Sequence, residues 1–294
     1  MLRRPSLEHH SVSLHTYSGE SRTMGIRRSR TASRRTLQGQ HDAGAYRSLG
    51  DTDINGLVPL EGGYQVKGLR LTELYSSIQG EGPRMGAVTS FVRFGGCNMR
   101  CAGWPCDTPH AILPEIWKHD PIVPPDYIVK KIRDLPGKNV CITGGEPTLQ
   151  PLEDLEKLGT QLLLEDYTVD VFSNGSLKPF PLWMLMEPSV CIIMDWKLAG
   201  SGENQTGMEV RIQNARALTS KDALKFVIVD DMDFESAMFI WKSLGELKCS
   251  IWAGVAWGRY SEADLIERIK VARVPWRMNI QLHKFIYPGV DKGI

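Results

Sequence analysis

The chain has 294 residues, of which 42% are hydrophobic and 23% are charged, as in ordinary globular proteins. No uninterrupted apolar run approaches the roughly 20 residues that cross a bilayer, so the sequence predicts no membrane span. The 35 basic and 34 acidic residues nearly cancel, which excludes the strongly charged composition of a whole-chain nucleic-acid binder.

Basic residues are concentrated at the start of the chain. Residues 1–50 contain nine Arg, no Lys and three acidic residues, among many Ser, Thr, Gly and His. Their apolar residues follow no helical or strand period, so we predict a disordered basic tail over 1–66 and a folded domain over 67–294. An organelle transit peptide and a later start site at Met24 are alternatives. Because most basic tails are merely solvated, we expect no nucleic-acid contact from this one.

From Leu69 onward, strand-like and helix-like patterns alternate along the chain. Apolar runs rich in β-branched residues predict strands at 88–94, 139–143, 168–173, 190–195, 224–229, 250–255 and 278–282. Apolar stripes at helical spacing predict helices around 152–162, 234–244 and 262–269, the last with Ser261 as its N-cap. This alternation predicts an α/β fold, namely a partial, open parallel βα barrel of about six strands.

Three of the six cysteines, Cys97, Cys101 and Cys106, form a cysteine loop (residues 97–106) directly after the first predicted strand. Disulfide frameworks occur in short secreted chains with a signal peptide, and the chain does not begin with the apolar core of one. Soft thiolates select zinc, copper(I) or iron–sulfur clusters. A structural zinc ion needs four ligands, and the nearest fourth candidate is His110. Three cysteines on one loop suit a cubane cluster with one open iron, while zinc and unligated buried cysteines are the alternatives.

Seven short motifs follow one another in the folded part of the chain. They are SIQGEG (77–82), FVR (91–93), the cysteine loop ending in CDTP (106–109), TGGEP (143–147), SNG (173–175), DWK (195–197) and QLHK (281–284). In this order they resemble the motifs of the 7-carboxy-7-deazaguanine synthases, a family of the radical S-adenosylmethionine (SAM) superfamily. The superfamily's common cysteine spacing is Cys-x3-Cys-x2-Cys, whereas this chain has Cys-x3-Cys-x4-Cys.

The resemblance implies a lyase with a [4Fe–4S] cluster on Cys97, Cys101 and Cys106 and with SAM at the open iron. It assigns SAM binding to residues at the ends of predicted strands: Gly144, Gly145, Glu146, Ser173, Asn174, Asp195 and Lys197. Glycines let a ligand approach the backbone, and a carboxylate accepts hydrogen bonds from an ammonium group. Ordinary turns and a solvated lysine are the structural alternatives. The resemblance also implies a Mg²⁺ ion at Thr108, which by itself is a turn residue before Pro109.

The substrate implied by the resemblance is 6-carboxy-5,6,7,8-tetrahydropterin, which becomes 7-carboxy-7-deazaguanine with loss of ammonia. The implied substrate contacts are Ile78, Gln79, Gly80, Glu81, Arg93, Thr143 and His283. An arginine can pair with a carboxylate through two parallel hydrogen bonds. The alternatives are a structural ion pair for Arg93 and a satisfied core histidine for His283, which we expect on the last strand.

The resemblance also implies a cytoplasmic homodimer without membrane contact, and an electron donor such as a flavodoxin or a ferredoxin. Two other functions stay open. One is a different radical SAM enzyme, for example a glycyl-radical activase, which product analysis would distinguish. The other is a non-catalytic zinc or iron–sulfur binding module, which the metal content would distinguish.

Overall fold

The computed structural model describes residues 68–103, 106–290 and 293. The predicted tail over 1–66 lies outside these residues, as do Trp104 and Pro105 in the enlarged part of the cysteine loop. The domain boundary at residue 67 therefore stays a prediction. In the described part of the chain, no helix is both long enough and apolar enough to cross a membrane.

The described residues form one sheet of nine strands with helices between them. The strands are β1 (Leu69–Ile78), β2 (Val88–Phe94), β3 (Ile122–Val123), β4 (Asn139–Gly144), β5 (Thr168–Ser173), β6 (Val190–Trp196), β7 (Ala223–Ile228), β8 (Ser250–Val255) and β9 (Arg277–Asn279). The helices are α1 (Pro109–Ile112), α2 (Pro114–Trp117), α3 (Pro125–Ile132), α4 (Leu152–Leu164), α5 (Leu182–Met186), α6 (Met208–Ala217), α7 (Asp231–Leu244), α8 (Glu262–Ala272) and α9 (Leu282–Ile286).

The sheet order is β3-β1-β2-β4-β5-β6-β7-β8-β9. Neighbouring strands from β2 onward run parallel, whereas β1 is antiparallel to both β2 and β3. A short connection between β1 and β2 produces the antiparallel pair, because parallel neighbours need a longer crossover such as a helix. The predicted α/β fold with an open parallel sheet is confirmed. The sequence analysis did not predict β1 and β3.

The core lies between the sheet and the helices that cover it. Every residue of β7 is buried, as expected for a parallel strand covered on both faces. Helix α4 contributes the buried side chains of Leu155, Leu158 and Leu162, which belong to its predicted stripe. The predicted cap of α8 is confirmed, since the Ser261 hydroxyl accepts a hydrogen bond from the Asp264 N–H at 3.2 Å.

One prediction for the end of the chain is wrong. The last strand, predicted over 278–282, ends at Asn279, and Leu282 begins helix α9. The Leu282 N–H donates to the carbonyl oxygen of Gly80 at 3.0 Å, so the chain leaves the sheet edge and packs against the SIQGEG motif. His283 therefore lies on a short helix instead of a strand.

Candidate active site

The TGGEP motif packs directly against the start of the cysteine loop. The Glu146 N–H donates to the carbonyl of Gly96 at 2.8 Å, and the Gly145 N–H donates to the carbonyl of Phe94 at 3.0 Å. A Cβ on Gly145 would lie 2.0 Å from the Gly96 oxygen, and one on Gly144 would lie 2.1 Å from the Phe94 oxygen. The two glycines that the sequence assigned to ligand approach therefore admit the neighbouring chain segment, which fixes the start of the cysteine loop.

The Glu146 carboxylate is fully buried and links the ends of β4 and β5. Its Oε1 accepts hydrogen bonds from the Thr148 N–H at 3.0 Å and from the hydroxyls of Thr148 and Ser173 at 2.7 Å each. Its Oε2 accepts a bond from the Asn174 N–H at 2.7 Å. An ionised carboxyl oxygen accepts two or more such bonds, so Oε2 has capacity for another donor.

The Asn174 side chain connects the end of β5 to the cysteine loop. Its Nδ2 donates to Asn98 Oδ1 at 3.0 Å, and its Oδ1 accepts from the Ser176 hydroxyl at 2.6 Å. The Asn98 amide in turn donates to the Ser176 hydroxyl at 2.9 Å. Three motifs that are far apart in the sequence therefore meet at the carboxyl ends of adjacent strands, where parallel sheets bind ligands. They are the cysteine loop, TGGEP and SNG.

The three cysteines of the loop are free thiols of intermediate exposure. Burial raises the pKa of Cys97 to about 11 and also raises the pKa of Cys101, while the charge of Lys197 counteracts both shifts. These two thiols are therefore protonated near neutral pH in the structure as described. A bound metal would supply the positive charge that converts them to thiolates.

The donor set, three thiols on one loop, fits an iron–sulfur cluster. Among the residues that the structure describes, no three His, Cys, Asp or Glu side chains are arranged to hold one metal ion. In a cubane cluster each thiolate binds a different iron atom, so three sulfurs can serve one cluster without converging on a point. His110, the candidate fourth zinc ligand, has its Nε2 3.0 Å from Glu73 Oε2.

The DWK motif places a half-buried ion pair near the cysteine loop. Lys197 Nζ donates to Asp195 Oδ2 at 2.9 Å. Burial disfavours the charge on Lys197, but the Asp195 carboxylate outweighs it and raises the pKa of Lys197. The Lys197 charge also counteracts the shift in the pKa of Cys101, so this predicted SAM contact lies close enough to act on a predicted cluster ligand.

Thr108 lies where the cysteine loop meets the end of β4. Its Oγ1 is 3.7 Å from Cys106 Sγ and makes a long hydrogen bond of 3.5 Å to the carbonyl oxygen of Gly144. A hydroxyl held this loosely can turn toward another partner. The assignment of Mg²⁺ to Thr108 stays a prediction.

Glu81 is the centre of a second polar cluster. Its Oε2 accepts hydrogen bonds from Lys225 Nζ at 2.5 Å and from Asn279 Nδ2 at 3.0 Å, and its Oε1 accepts from Gln281 Nε2 at 3.2 Å. Lys225 Nζ also lies 3.4 Å from Asp195 Oδ1. Lys225 thus connects the predicted substrate contact Glu81 to the predicted SAM contacts Asp195 and Lys197 of the DWK motif.

Gly80 and His283 are in close contact. A Cβ on Gly80 would lie 2.2 Å from His283 Nδ1, so only glycine lets the imidazole pack here. Burial lowers the pKa of His283, although the charges of Glu81 and Asp107 counteract the shift. The imidazole is therefore neutral near pH 7. Helix α9, and not a strand, positions it against the SIQGEG motif.

Arg93 forms a cross-strand ion pair, which is the structural alternative considered for it. Its Nε donates to Glu73 Oε2 at 2.6 Å, and one Nη donates to the Tyr75 hydroxyl at 2.8 Å. Glu73 and Arg93 are directly opposite in the antiparallel register of β1 and β2, which brings the charges together. Thr143, another predicted substrate contact, is the neighbour of Arg93 on β4.

Two predicted substrate contacts lie outside the Glu81 cluster. Gln79 is buried, and its amide donates to Asp170 Oδ2 at 2.9 Å. Asp170 also accepts a hydrogen bond from Asn139 at 3.2 Å. Ile78 ends β1 opposite Val88. The Gln79 amide is therefore engaged toward the amino ends of β4 and β5, away from the cysteine loop.

Comparison with known proteins decides the family. No family model matches the chain. A 7-carboxy-7-deazaguanine synthase from Methanospirillum hungatei is 32% identical over 222 residues, covering 76% of this chain and 87% of that protein. A 7-carboxy-7-deazaguanine synthase from Koribacter versatilis is 33% identical over 241 residues, covering 77% of this chain and 100% of that protein. The chain belongs to the 7-carboxy-7-deazaguanine synthase family.

The 7-carboxy-7-deazaguanine synthase family is the one that the seven motifs predict, and the assignment to the radical SAM lyases is confirmed with it. In fold, the chain is similar to the crystal structure of QueE from Escherichia coli. That likeness has a TM-score of 0.55 at 21% identity and covers 73% of this chain and 94% of the other. At this identity it supports the fold alone. The roles of individual residues in this family member stay predictions.

The sequence analysis assigned no site role to three residues that bind Glu81: Lys225, Asn279 and Gln281. All three lie in short runs that were predicted as strands, 224–229 and 278–282. A charged or amide side chain inside an otherwise apolar run is unusual, because burying it costs free energy unless it has a partner. The lysine within the apolar run 224–229 is such a residue, so the sequence alone indicates that Lys225 has a partner. Only the folded chain identifies its partners.

Proposed function

We propose that this chain converts 6-carboxy-5,6,7,8-tetrahydropterin to 7-carboxy-7-deazaguanine with loss of ammonia. The observation that carries the proposal is the chain of contacts from Lys197 through Asp195 and Lys225 to Glu81. It joins two predicted SAM contacts to a predicted substrate contact. Family membership supplies the reaction class.

Cys97, Cys101 and Cys106 would hold a [4Fe–4S] cluster, because they are the free thiols of one partly exposed loop. When bound, the cluster and SAM supply the one-electron reduction and the hydrogen-abstracting radical of this superfamily. The protein orients the reactants and excludes water from them. A reducing compartment such as the cytoplasm suits this chain, since all six cysteines are free.

SAM would bind at the ends of β4, β5 and β6. We assign its ammonium group to Glu146 Oε2, which keeps an acceptor site beside its bond to the Asn174 N–H. Ser173 and Asn174 are held by the same carboxylate, so their positions depend on Glu146. Asp195 and Lys197 would contact polar groups of SAM. Gly144 and Gly145 would contribute by letting the end of β4 pack closely against the start of the cysteine loop.

The pterin would lie near Glu81, with Gly80, Gln79 and Ile78 along one edge. Glu81 offers a carboxylate for the N–H groups of the pyrimidine ring, and a neutral His283 can donate or accept a hydrogen bond.

Arg93 has five N–H donors and can hold Glu73 while it binds the substrate carboxylate, with Thr143 beside it. Thr108 would contribute a hydroxyl to a Mg²⁺ ion that also binds substrate oxygens. We also propose a homodimer and a flavodoxin- or ferredoxin-type electron donor.

The test is an anaerobic assay with the full chain. The protein is reconstituted with iron and sulfide, supplied with reductant, SAM, Mg²⁺ and 6-carboxytetrahydropterin, and the products are identified by mass spectrometry. We expect 7-carboxy-7-deazaguanine and ammonia. Formation of 5′-deoxyadenosine without that product would mean that the substrate is wrong. A chain that binds one zinc ion and no iron, and that forms neither product, would overturn the proposal.

A further inference from the structure

The loop between β6 and α6 (residues 197–207, the β6–α6 loop) is hydrogen-bonded to the cysteine loop on both sides of Cys101. The carbonyl oxygen of Ser201 accepts from the N–H groups of Ala102 and Gly103 at 3.1 and 3.3 Å. The Glu203 carboxylate accepts from the Arg100 N–H at 2.5 Å. The chain neighbours of Cys101 are therefore fixed by the β6–α6 loop, as those of Cys97 are fixed by the TGGEP and SNG motifs.

Close contact between two glycines makes this arrangement possible. A Cβ on Gly103 would lie only 1.6 Å from the carbonyl oxygen of Gly200, so no larger residue fits at position 103 without moving one of the loops. The Gly200 N–H donates to Asp233 Oδ1 at 3.0 Å, which anchors this point to helix α7. Gly103 lies in the enlarged gap between Cys101 and Cys106, where the chain departs from the common spacing.

Arg211 of α6 holds the β6–α6 loop from the other side. Its side chain is fully buried, with one Nη donating to the Lys197 carbonyl at 2.9 Å and the other donating to the Glu203 carbonyl at 3.2 Å and to the Asn204 carbonyl. Its guanidinium lies 5.1 Å from the ring centre of Trp196. Arg211 thus binds the loop at both ends and rests on the aromatic residue of the DWK motif.

A buried guanidinium bound to carbonyl groups is costly, because none of the carboxylates in the described part of the chain contacts it directly to compensate for lost hydration. Burial lowers the pKa of Arg211 to about 10, and within the described residues its Nε has no hydrogen-bond partner. An apolar side chain of similar size would fill the same space at lower cost. Such an apolar side chain could not hold three loop carbonyl groups in fixed positions, because it has no hydrogen-bond donors.

We propose that the β6–α6 loop positions Cys101 for the cluster and that Arg211 is the positioning residue that holds this loop. The inference rests on the proposed function, since it takes the cysteine loop to bind a [4Fe–4S] cluster. It also accounts for the longer Cys-x4-Cys spacing. A loop with two more residues has more conformational freedom, and the bonds that Ala102 and Gly103 donate to Ser201 remove part of it at the Cys101 end of the gap.

The test measures cluster retention in the full chain. Gly103→Ala, Arg211→Met and Arg211→Lys are reconstituted beside the wild type, and the rate of iron loss to a chelator is followed by absorbance. Iron and sulfide per chain and the EPR spectrum of the reduced protein are recorded as well. Gly159→Ala is the control, because its Cβ would meet the Trp183 ring at 2.4 Å on α4, away from the cysteine loop. Thermal unfolding of the metal-free proteins measures stability separately.

We expect Gly103→Ala and Arg211→Met to lose iron about 10- to 100-fold faster than the wild type, as residues that support metal ligands do. Arg211→Lys should not rescue retention, because one ammonium cannot replace the planar fork that binds three carbonyls. Gly159→Ala should lower the unfolding temperature and leave the rate of iron loss unchanged.

Wild-type rates of iron loss in both Gly103→Ala and the Arg211 variants would overturn the inference. If the Arg211 variants do not fold, Gly103→Ala decides alone. A wild-type chain that takes up no iron would overturn the proposed function and the inference together. If the wild type holds a cluster and forms the product while Gly103→Ala and the folded Arg211 variants lose iron at the wild-type rate, the inference alone is overturned.

Discussion

Lys225 Nζ lies 2.5 Å from the Glu81 carboxylate, although the two residues are 144 positions apart in the chain. Lys225 projects from β7, and Glu81 lies in the connection between β1 and β2. Their side chains are 8% and 14% exposed. Burial disfavours the charge on Lys225, but Asp195 and Glu81 outweigh it and raise its pKa. Lys225 is therefore charged at neutral pH, although it lies inside the protein.

Removing one partner of this ion pair should destabilise the fold strongly. We expect Lys225→Met to lower the free energy of unfolding by about 3–5 kcal/mol, because Glu81 is left as an unpaired buried charge. Urea unfolding measures the change. The double variant Glu81→Gln, Lys225→Met should recover part of the loss. Lys270→Met, which breaks an exposed pair with Glu267, is the control and should change stability by at most about 1 kcal/mol. Equal urea midpoints for Lys225→Met and wild type would contradict this account.

Iron content should separate the loop cysteines from the scattered ones. We expect Ala substitutions of Cys97, Cys101 or Cys106 to remove most of the iron bound after reconstitution, because a cubane with two protein ligands is poorly held. Cys249→Ala, at a buried position that is not in the loop, should keep the wild-type iron content. Iron and sulfide assays measure the outcome. Full iron content in Cys101→Ala would remove that residue from the ligand set.

The Glu146 carboxylate should matter for both stability and SAM binding. In Glu146→Gln an amide NH₂ replaces one carboxyl oxygen. Both oxygens accept hydrogen bonds from N–H or O–H groups, so the NH₂ faces another donor and at least one charged hydrogen bond is lost. We expect a loss of about 1.5–3 kcal/mol in the free energy of unfolding. SAM affinity of the reconstituted protein, measured by equilibrium dialysis, should fall about tenfold or more. The exposed Glu187→Gln is the control. Unchanged SAM affinity in Glu146→Gln would argue against the ammonium contact.

His283 should make stability depend on pH below neutrality. Burial lowers its pKa in the folded protein from the ordinary value of 6.5, so the unfolded chain binds the proton more tightly. Its contribution to stability is therefore complete above about pH 6.5 and is lost as the pH falls toward the folded pKa. Burial alone would raise the pKa of the nearby Asp107 carboxyl, but its hydrogen bonds to Lys284 and Gln281 lower it, so this group titrates at lower pH.

The measurement is the unfolding temperature of the metal-free protein between pH 7.5 and about pH 5. We expect the wild type to lose stability over this interval and His283→Gln to lose less. His119→Gln, at an exposed position, should follow the wild type. Parallel curves for wild type and His283→Gln would show that the imidazole is not protonated in this range.

Much of the fold was predictable because the information is local. The strands at 88–94, 168–173 and 250–255 have the predicted bounds, since each is an apolar run bounded by turn residues. Strand β1 was missed because most of its residues are only half-buried, which leaves a weak pattern. Helix α9 was missed because Leu282 leaves the sheet through a bond to Gly80, a contact that local patterns do not contain.

The sequence by itself determined the family, the α/β class and the cysteine loop, because order and spacing of motifs are properties of the chain. Only the tertiary structure decided which side chains are partners. Arg93 meets Glu73 through antiparallel register, Glu81 meets Lys225 across the sheet, and Gly103 meets Gly200 between two loops. Such contacts depend on distances between remote segments. Those distances are fixed only when burial of the core has brought the segments together.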